Sequence, residues 1–190
     1  LKGKDGDEFL SLFNVIFDNN KTVDHGGVTC DWITKLSKEI FNKDNGYFKI
    51  INKTMNIQPN ILSINKENYL EFFRFAGQVV ARALIEGVCI DAHLTIPFYK
   101  YILHRKPKLS DLQYQDNELY NSCIWMLKND VNALEMVFEV FDETGQNQTI
   151  PLKENGIETK VTNENIKEYV TLLSNYHMGG KVINQINEFV

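Results

Sequence analysis

Cysteine can act as a nucleophile or as a metal ligand, so Cys30, Cys89 and Cys123 are the first places to look for chemistry. Cys123 lies in "NELYNSCIWMLKND", residues 117–130, amid large apolar side chains and little charge. A nucleophilic thiol needs a nearby base and an electropositive setting that lowers its pKa. At helical spacing Cys123 meets Leu119, Tyr120, Met126 and Leu127, which would raise it, and no histidine is close in sequence. For metal chemistry the best set is Cys89 with His93, joined by His25 and Cys30, yet neither pair has the spacing of a zinc module. Cys89 reads more simply as a small core residue and His93 as a satisfied polar one. The chain has no P-loop, no GxGxxG after a strand, and no HExxH, GxSxG or CxxC. No catalytic residue, metal or cofactor is therefore expected in this chain.

The plainest account of Leu119, Cys123 and Met126 is a core stripe on one face of a helix. The same helix also carries Tyr120, Ile124, Trp125 and Leu127, more apolar surface than a small unit can bury. Part of it should face outward, and an exposed apolar patch marks an interface. The residues favour a binding surface, with core and nucleophile as the alternatives.

Composition agrees with a protein-binding role. A chain of 190 residues suits one domain, or one with a small appendage. With 43% hydrophobic residues it can build a core without disulfides, and a formal net charge of −5 argues against broad phosphate binding. Nucleic acid is not an expected partner. Three cysteines, odd in number and far apart, fit a reducing compartment. No amino-terminal segment resembles a signal peptide, and no apolar run reaches the roughly 18 residues a membrane span needs. The sequons at Asn20, Asn52 and Asn147 read as chance products of an Asn-rich chain, and a cytoplasmic or nuclear location without membrane attachment is expected.

The elements that must position these residues can be read from periodicity. Gly26 and Gly27 allow a turn, Thr29 or Asp31 can cap a helix, and Trp32, Ile33, Leu36, Ile40 and Phe41 recur at helical spacing. "GYFKII" predicts a short strand, and the stretch through Gln58 and Pro59 predicts short strands or irregular chain. The long pattern in "INKENYLEFFRFAGQVVARALIEG" predicts a helix capped at Asn65 and stopped at Gly87. It is apolar nearly all round, so more than one face should be covered, with Ala76, Gly77 and Ala81 letting a neighbouring helix come close. Pro97 fits the first turn of "PFYKYILHR". After His104, Ser110 is the expected cap of a short helix and Asp116 the cap of the next. Leu134, Met136, Phe138 and Val140 alternate as in a half-buried strand. "QTIPLK", a turn at "ENG", and "IETKVT" would complete a meander. Thr162 is expected to cap a helix to about Met178, broken by Gly179 and Gly180. The fold class is thus α+β and mainly helical: a large helical body over 1–104, a small α+β unit inserted at 105–178, and a return helix over 179–190.

The ordered series "FNVIFDNNKTVDHGGVTCDWITKLSKEIFN", "YLEFFRFAGQVVARALIEGVCIDAHLTIPFYKYIL", "LSDLQYQDNELYNSCIWML", "PLKENGIETKVTNENIKEYVTLLSNY" and "INQINEF" resembles the HECT family of ubiquitin ligases over nearly the whole chain. The resemblance implies the amino-terminal lobe of such a ligase. The family's catalytic cysteine belongs to a carboxy-terminal lobe that nothing in this chain resembles, so a fragment of a longer ligase, inactive alone, is expected. Cys123 then falls on the helix with which the family holds the ubiquitin-conjugating enzyme, the E2. The implied groove comprises Leu119, Ser122, Cys123, Met126, Leu134, Met136, Tyr169 and Leu173. The family more often has leucine where Cys123 stands, which makes the groove shallower or more polarizable. Some members also bind ubiquitin on the large subdomain near the positions of Tyr47, Phe48 and Met55, but "FDETGQ" departs from the more hydrophobic loop of those members, and the three are read as core. Two alternatives remain at this point, a non-catalytic interaction scaffold and a cysteine-dependent enzyme using Cys123.

Overall fold

A computed structural model describes residues 27–51, 55–144 and 148–190, and their architecture is α+β and mainly helical. Helix α1 spans Gly27–Ile40. The expected caps Thr29 and Asp31 lie inside it: Thr29 is buried, and Asp31 pairs with Lys35 one turn on, at 2.7 Å. Gly26 falls outside the described residues. A short 3₁₀ turn at Lys43–Asn45 ends at Gly46, whose φ of 71° is the left-handed conformation that glycine adopts at no steric cost. Strands β1 (Phe48–Ile51) and β2 (Asn56–Pro59) pair antiparallel, with Phe48 opposite Pro59.

Helix α2 spans Tyr69–Ile85 and begins later than the sequence predicts. Asn65 ends a 3₁₀ turn instead, and Asn68, left-handed at φ 53°, precedes the helix without a side-chain cap bond. Phe73, Ala76, Gly77, Val79 and Ala83 are buried, but Ala81 and Leu84 are exposed, so the cover is one broad face rather than the whole circumference. Gly87, at φ 66°, stops the helix as expected. Helix α3 (Ile96–Ile102) has Pro97 in its first turn, and the Thr95 hydroxyl accepts from the Phe98 amide.

Helix α4 (Leu109–Gln115) is not capped by Ser110, which lies inside it. The Asp111 carboxylate reaches back to accept from the Lys108 amide at 2.6 Å and also holds the Lys100 ammonium at 2.5 Å. Helix α5 (Asn117–Met126) is capped by Asp116 as expected, its carboxylate accepting from the Leu119 amide at 2.9 Å. The strand expected from Leu134 is shorter: β3 is Glu139–Phe141, while Leu134 closes a 3₁₀ turn and Glu135 is left-handed. β3 pairs antiparallel with β4 (Thr149–Pro151). The third strand of the meander is reduced to a single bridge, Val137 to Lys160, because Gly156–Glu158 turns as a 3₁₀ helix. Helix α6 spans Ile166–Met178. Thr162 lies one turn too early to cap it, and its amide donates to the Asn165 side chain at 2.7 Å. Helix α7 (Ile183–Phe189) comes after the Gly179–Gly180 break.

Two cores result. One joins Ile40, Phe48, Phe73, Ala76 and Phe98 with Val182, Ile186 and Phe189 of the chain's last turns. The other joins Leu112, Cys123, Met126, Val131, Phe138, Tyr169 and Leu173. The first core is closed by α7 lying on α2. A methyl group at Gly77 would come within 1.9 Å of the Phe189 carbonyl oxygen, and Arg74 pairs with Glu188 at 2.6 Å. Small residues at Ala76 and Gly77 therefore do admit a helix, while Ala81 takes no part.

Candidate functional site

Asp116, in extended conformation, ends α4 and caps α5, and α5 packs on both α4 and α6. Cys123 is 0% exposed and Met126 is buried beside it. Across from them stand Tyr169 and Leu173, one turn apart on α6 and both buried. The Tyr169 ring meets Phe138 edge-on with centroids 5.3 Å apart, and the Lys153 ammonium caps the Phe138 ring at 4.0 Å.

Six of the residues expected to line the groove, Leu119, Cys123, Met126, Met136, Tyr169 and Leu173, thus gather in or against one apolar cluster. Leu119 and Met136 are half-buried at its edge. Ser122 and Leu134 stand outside it in solvent, Leu134 being 47% exposed. The surplus apolar surface of α5 does face outward, since Trp125 is 49% exposed and Leu127 is exposed as well.

Burial bears on the thiol chemistry of Cys123. Desolvation, with the Asp116 carboxylate adding to it, pushes the Cys123 thiol up to about 11. A thiol raised in this way is protonated at neutral pH, which disfavours the nucleophile reading. Burial first, then the neighbouring Cys123 and Glu139, likewise raise the Tyr169 phenol.

A network missed in the sequence fixes the position of Leu134. The Val131 amide donates to the Asn163 side-chain oxygen at 3.0 Å, and the Asn163 side-chain amide donates to Asp130 at 2.9 Å. Asp130 also accepts from the Asn132 amide, and the Asn132 side chain accepts from the Asn163 amide. The backbone bond first, then the Asn163 bond, hold Asp130 below the usual carboxylate range. The run "NDVN" carried the signal, because Asn and Asp side chains fold back onto backbone two residues on.

Cys30 and Cys89 are exposed free thiols, and His93 is also exposed. No group of three metal-ligating side chains occurs among the described residues, and His25 lies outside them. No helix among the described residues is long and apolar enough to cross a membrane. Of the three residues read as core near β1, Phe48 is buried and Tyr47 stacks on Phe72 with centroids 3.6 Å apart. Met55 is exposed instead, at a left-handed φ of 57° in the turn that leads into β2.

Comparison with known proteins gives one consistent picture. The family model described as HECT-domain (ubiquitin-transferase) matches residues 34–190. The chain is 37% identical over 177 residues to E3 ubiquitin-protein ligase NEDD4 of Homo sapiens, covering 91% of this chain and 13% of that protein. It is 36% identical over 178 residues to E3 ubiquitin-protein ligase pub1 of Schizosaccharomyces pombe, covering 91% and 23%. Against E3 ubiquitin-protein ligase ptr1 of the same yeast it is 32% identical over 193 residues, covering 98% and 6%. The chain thus spans less than a quarter of the length of each of these relatives.

Proposed function

The chain belongs to the HECT-domain (ubiquitin-transferase) family, and from that premise we propose that it serves a ubiquitin ligase as the lobe that docks a ubiquitin-loaded conjugating enzyme. In this reading residues 105–178 form the docking subdomain, inserted between a large subdomain over 1–104 and its return over 179–190. The observation that carries it is the outward face of the second core. Trp125 and Leu134 are about half exposed, with Leu119 and Met136 at the cluster edge and Cys123, Met126, Tyr169 and Leu173 beneath them.

The buried four form the floor of the groove and the exposed residues its rim. An aromatic side chain from the conjugating enzyme would enter against Tyr169 and Met136. Burying one Phe-sized side chain contributes roughly 1.5–3 kcal/mol, which anchors a contact without making it permanent. An interface of about 1,200 Å² or less and a micromolar affinity, about −8 kcal/mol, suit a ligase that must exchange spent enzyme for loaded enzyme.

The reaction served is two successive acyl transfers. A ligase thiolate attacks the thioester linking ubiquitin to the conjugating enzyme, and that enzyme's thiolate leaves. A substrate lysine amine then attacks the new thioester, forming an amide bond as the ligase thiolate leaves and the amine gives up a proton. The attacking cysteine is none of the three in this chain, consistent with the buried, protonated state of Cys123. The chain contributes positioning, which raises effective concentration. Alone it binds and does not turn over. Ubiquitin meets it as the cargo of the bound enzyme, and the three free thiols fit action in the cytoplasm or nucleus.

Titration calorimetry against a panel of ubiquitin-conjugating enzymes tests the proposal. Leu134→Asp is the control, because Leu134 lies outside the core. Micromolar binding to one or a few members, lost in the variant, is expected. If no member binds the folded chain, the surface returns to the reading of an interaction scaffold within the parent protein.

A further inference from the structure

On another side of the inserted unit lies an open cleft of about 960 Å³, between the connection after α3 and the outer face of α6. None of the eight groove residues lines it. Its lining is largely apolar and includes the half-buried Leu152, Leu172 and Tyr101. Three lysines, Lys106, Lys108 and Lys167, stand along it, and no Asp or Glu is among its lining residues. The chain as a whole carries a net charge of −5, so this local balance runs against the average.

The state of the lysines is as informative as their number. Nearby cations are already paired: Lys100 with Asp111, and Lys153 with Glu168. Asp111 accepts from the Lys108 backbone amide, but no carboxylate among the described residues lies within 4 Å of the ammonium of Lys106, Lys108 or Lys167. Like charges gathered along an apolar concavity focus a positive potential into it. An anionic partner would relieve their repulsion, and the apolar floor offers area to a side chain that a small anion lacks.

We propose that this cleft docks an acidic peptide segment of a partner protein, with carboxylates reaching the three lysines and a Leu or Phe side chain seated against Leu152 and Leu172. Charge complementarity selects the segment and the apolar anchor fixes its register. The cleft shares none of the eight groove residues, although the exposed Leu127 that follows α5 lines it.

Fluorescence anisotropy with a short labelled peptide, Asp and Glu flanking a central Leu-Phe pair, tests this. The comparison probes are the same peptide with Ser-Ser at the centre, a polyglutamate of equal length, and a single-stranded oligonucleotide. The wild-type chain is compared with the double variant Lys106→Glu/Lys167→Glu and with Leu134→Asp, each shown by its melt to be folded. The Leu-Phe peptide should bind the wild type and Leu134→Asp equally. Its affinity should fall about tenfold or more in the lysine variant, and again at high salt. Equal binding of polyglutamate or of the Ser-Ser peptide, preference for the oligonucleotide, an unchanged lysine variant, or no binding of the Leu-Phe peptide would each overturn the proposal.

Discussion

The ammonium of Lys181 lies 2.5 Å from the carboxylate of Glu143. Lys49 on β1 stands 3.7 Å from the same carboxylate and His177 on α6 stands 4.0 Å from it. One side chain beyond the end of β3 therefore faces the first core, the end of α6 and the turn into α7 at once. The Lys181 side chain is only 6% exposed, so losing its partner leaves a nearly buried charge. Glu143 is itself more than a third exposed, which discounts the effect. Glu143→Gln should cost about 1–2 kcal/mol. A double-mutant cycle with Lys181→Met in guanidinium unfolding should show a coupling between the two; strict additivity would mean the contact does not stabilise the fold.

The same cluster makes stability depend on pH in two stages. Burial first, then Lys181 and Lys49, hold the His177 imidazole below its usual value near 6.5, against the opposite pull of Glu143 and Asp116. A depressed pKa means that the folded chain resists the proton, so this contribution is present above about pH 6.5 and is lost as pH falls below it. Burial raises the Glu143 carboxyl, but the Lys181 bond and the surrounding cations outweigh burial and leave it below its usual value near 4.5. Its contribution is present above that value and fades on further acidification. Unfolding curves at stepped pH should show both declines, and His177→Gln should remove the first while leaving the second.

Asn163 should prove to be a clamp on the turn that presents Leu134. The Val131 amide, in a fully buried residue, donates to its side chain. Asn163→Ala leaves that donor unsatisfied at a cost of about 1–3 kcal/mol. Hydrogen exchange at Val131 and Asn132 should accelerate well beyond the change at Val79 on α2. Equal acceleration everywhere would mean a global loss of stability, with no local clamp.

Gly77→Ala should be among the costliest single methyl additions in the chain. The new carbon meets backbone, the Phe189 carbonyl oxygen, rather than a side chain able to swing away. Overpacking of this kind costs about 3 kcal/mol. Gly87→Ala, strained only by its left-handed φ with open space around it, should cost about 1 kcal/mol. Thermal melts of the two variants side by side check the order.

Thiol labelling separates the cysteines. Cys30 and Cys89 are exposed and should react promptly with a neutral-pH thiol reagent, whereas Cys123 should react only on unfolding. Prompt modification of Cys123 in folded protein would contradict its burial.

What the sequence disclosed depended on the range of the interaction. Helical periods were readable because neighbours three and four residues apart share a face, so α1, α2, α5 and α6 stood out. Asp116 was readable as a cap because its partner, Leu119, is three residues away. Ser110, Thr162 and Asn65 failed as caps for a common reason. The residues before α2, α4 and α6, namely Asn68, Lys108 and Asn165, give their helices no side-chain cap bond, so a cap-type residue in the sequence marked no real cap there. Leu134 was drawn into a strand by the alternation of Met136, Phe138 and Val140. It left that strand because the clamp from Asn163, some thirty residues away, turns the chain before Glu135. The Glu143 cluster had no local signal at all, as Lys49, His177 and Lys181 come from distant stretches.

The seam between α2 and α7 has a temporal consequence. Arg74 and Glu188 meet across it although 114 positions separate them along the chain. As the polypeptide emerges from the ribosome, the first core waits with one wall open until every residue of the unit built on the second core has been made. That unit, whose own contacts lie between Leu112 and Met178, can consolidate earlier. The order of synthesis and the order of completion are therefore inverted: the portion that begins first is sealed last.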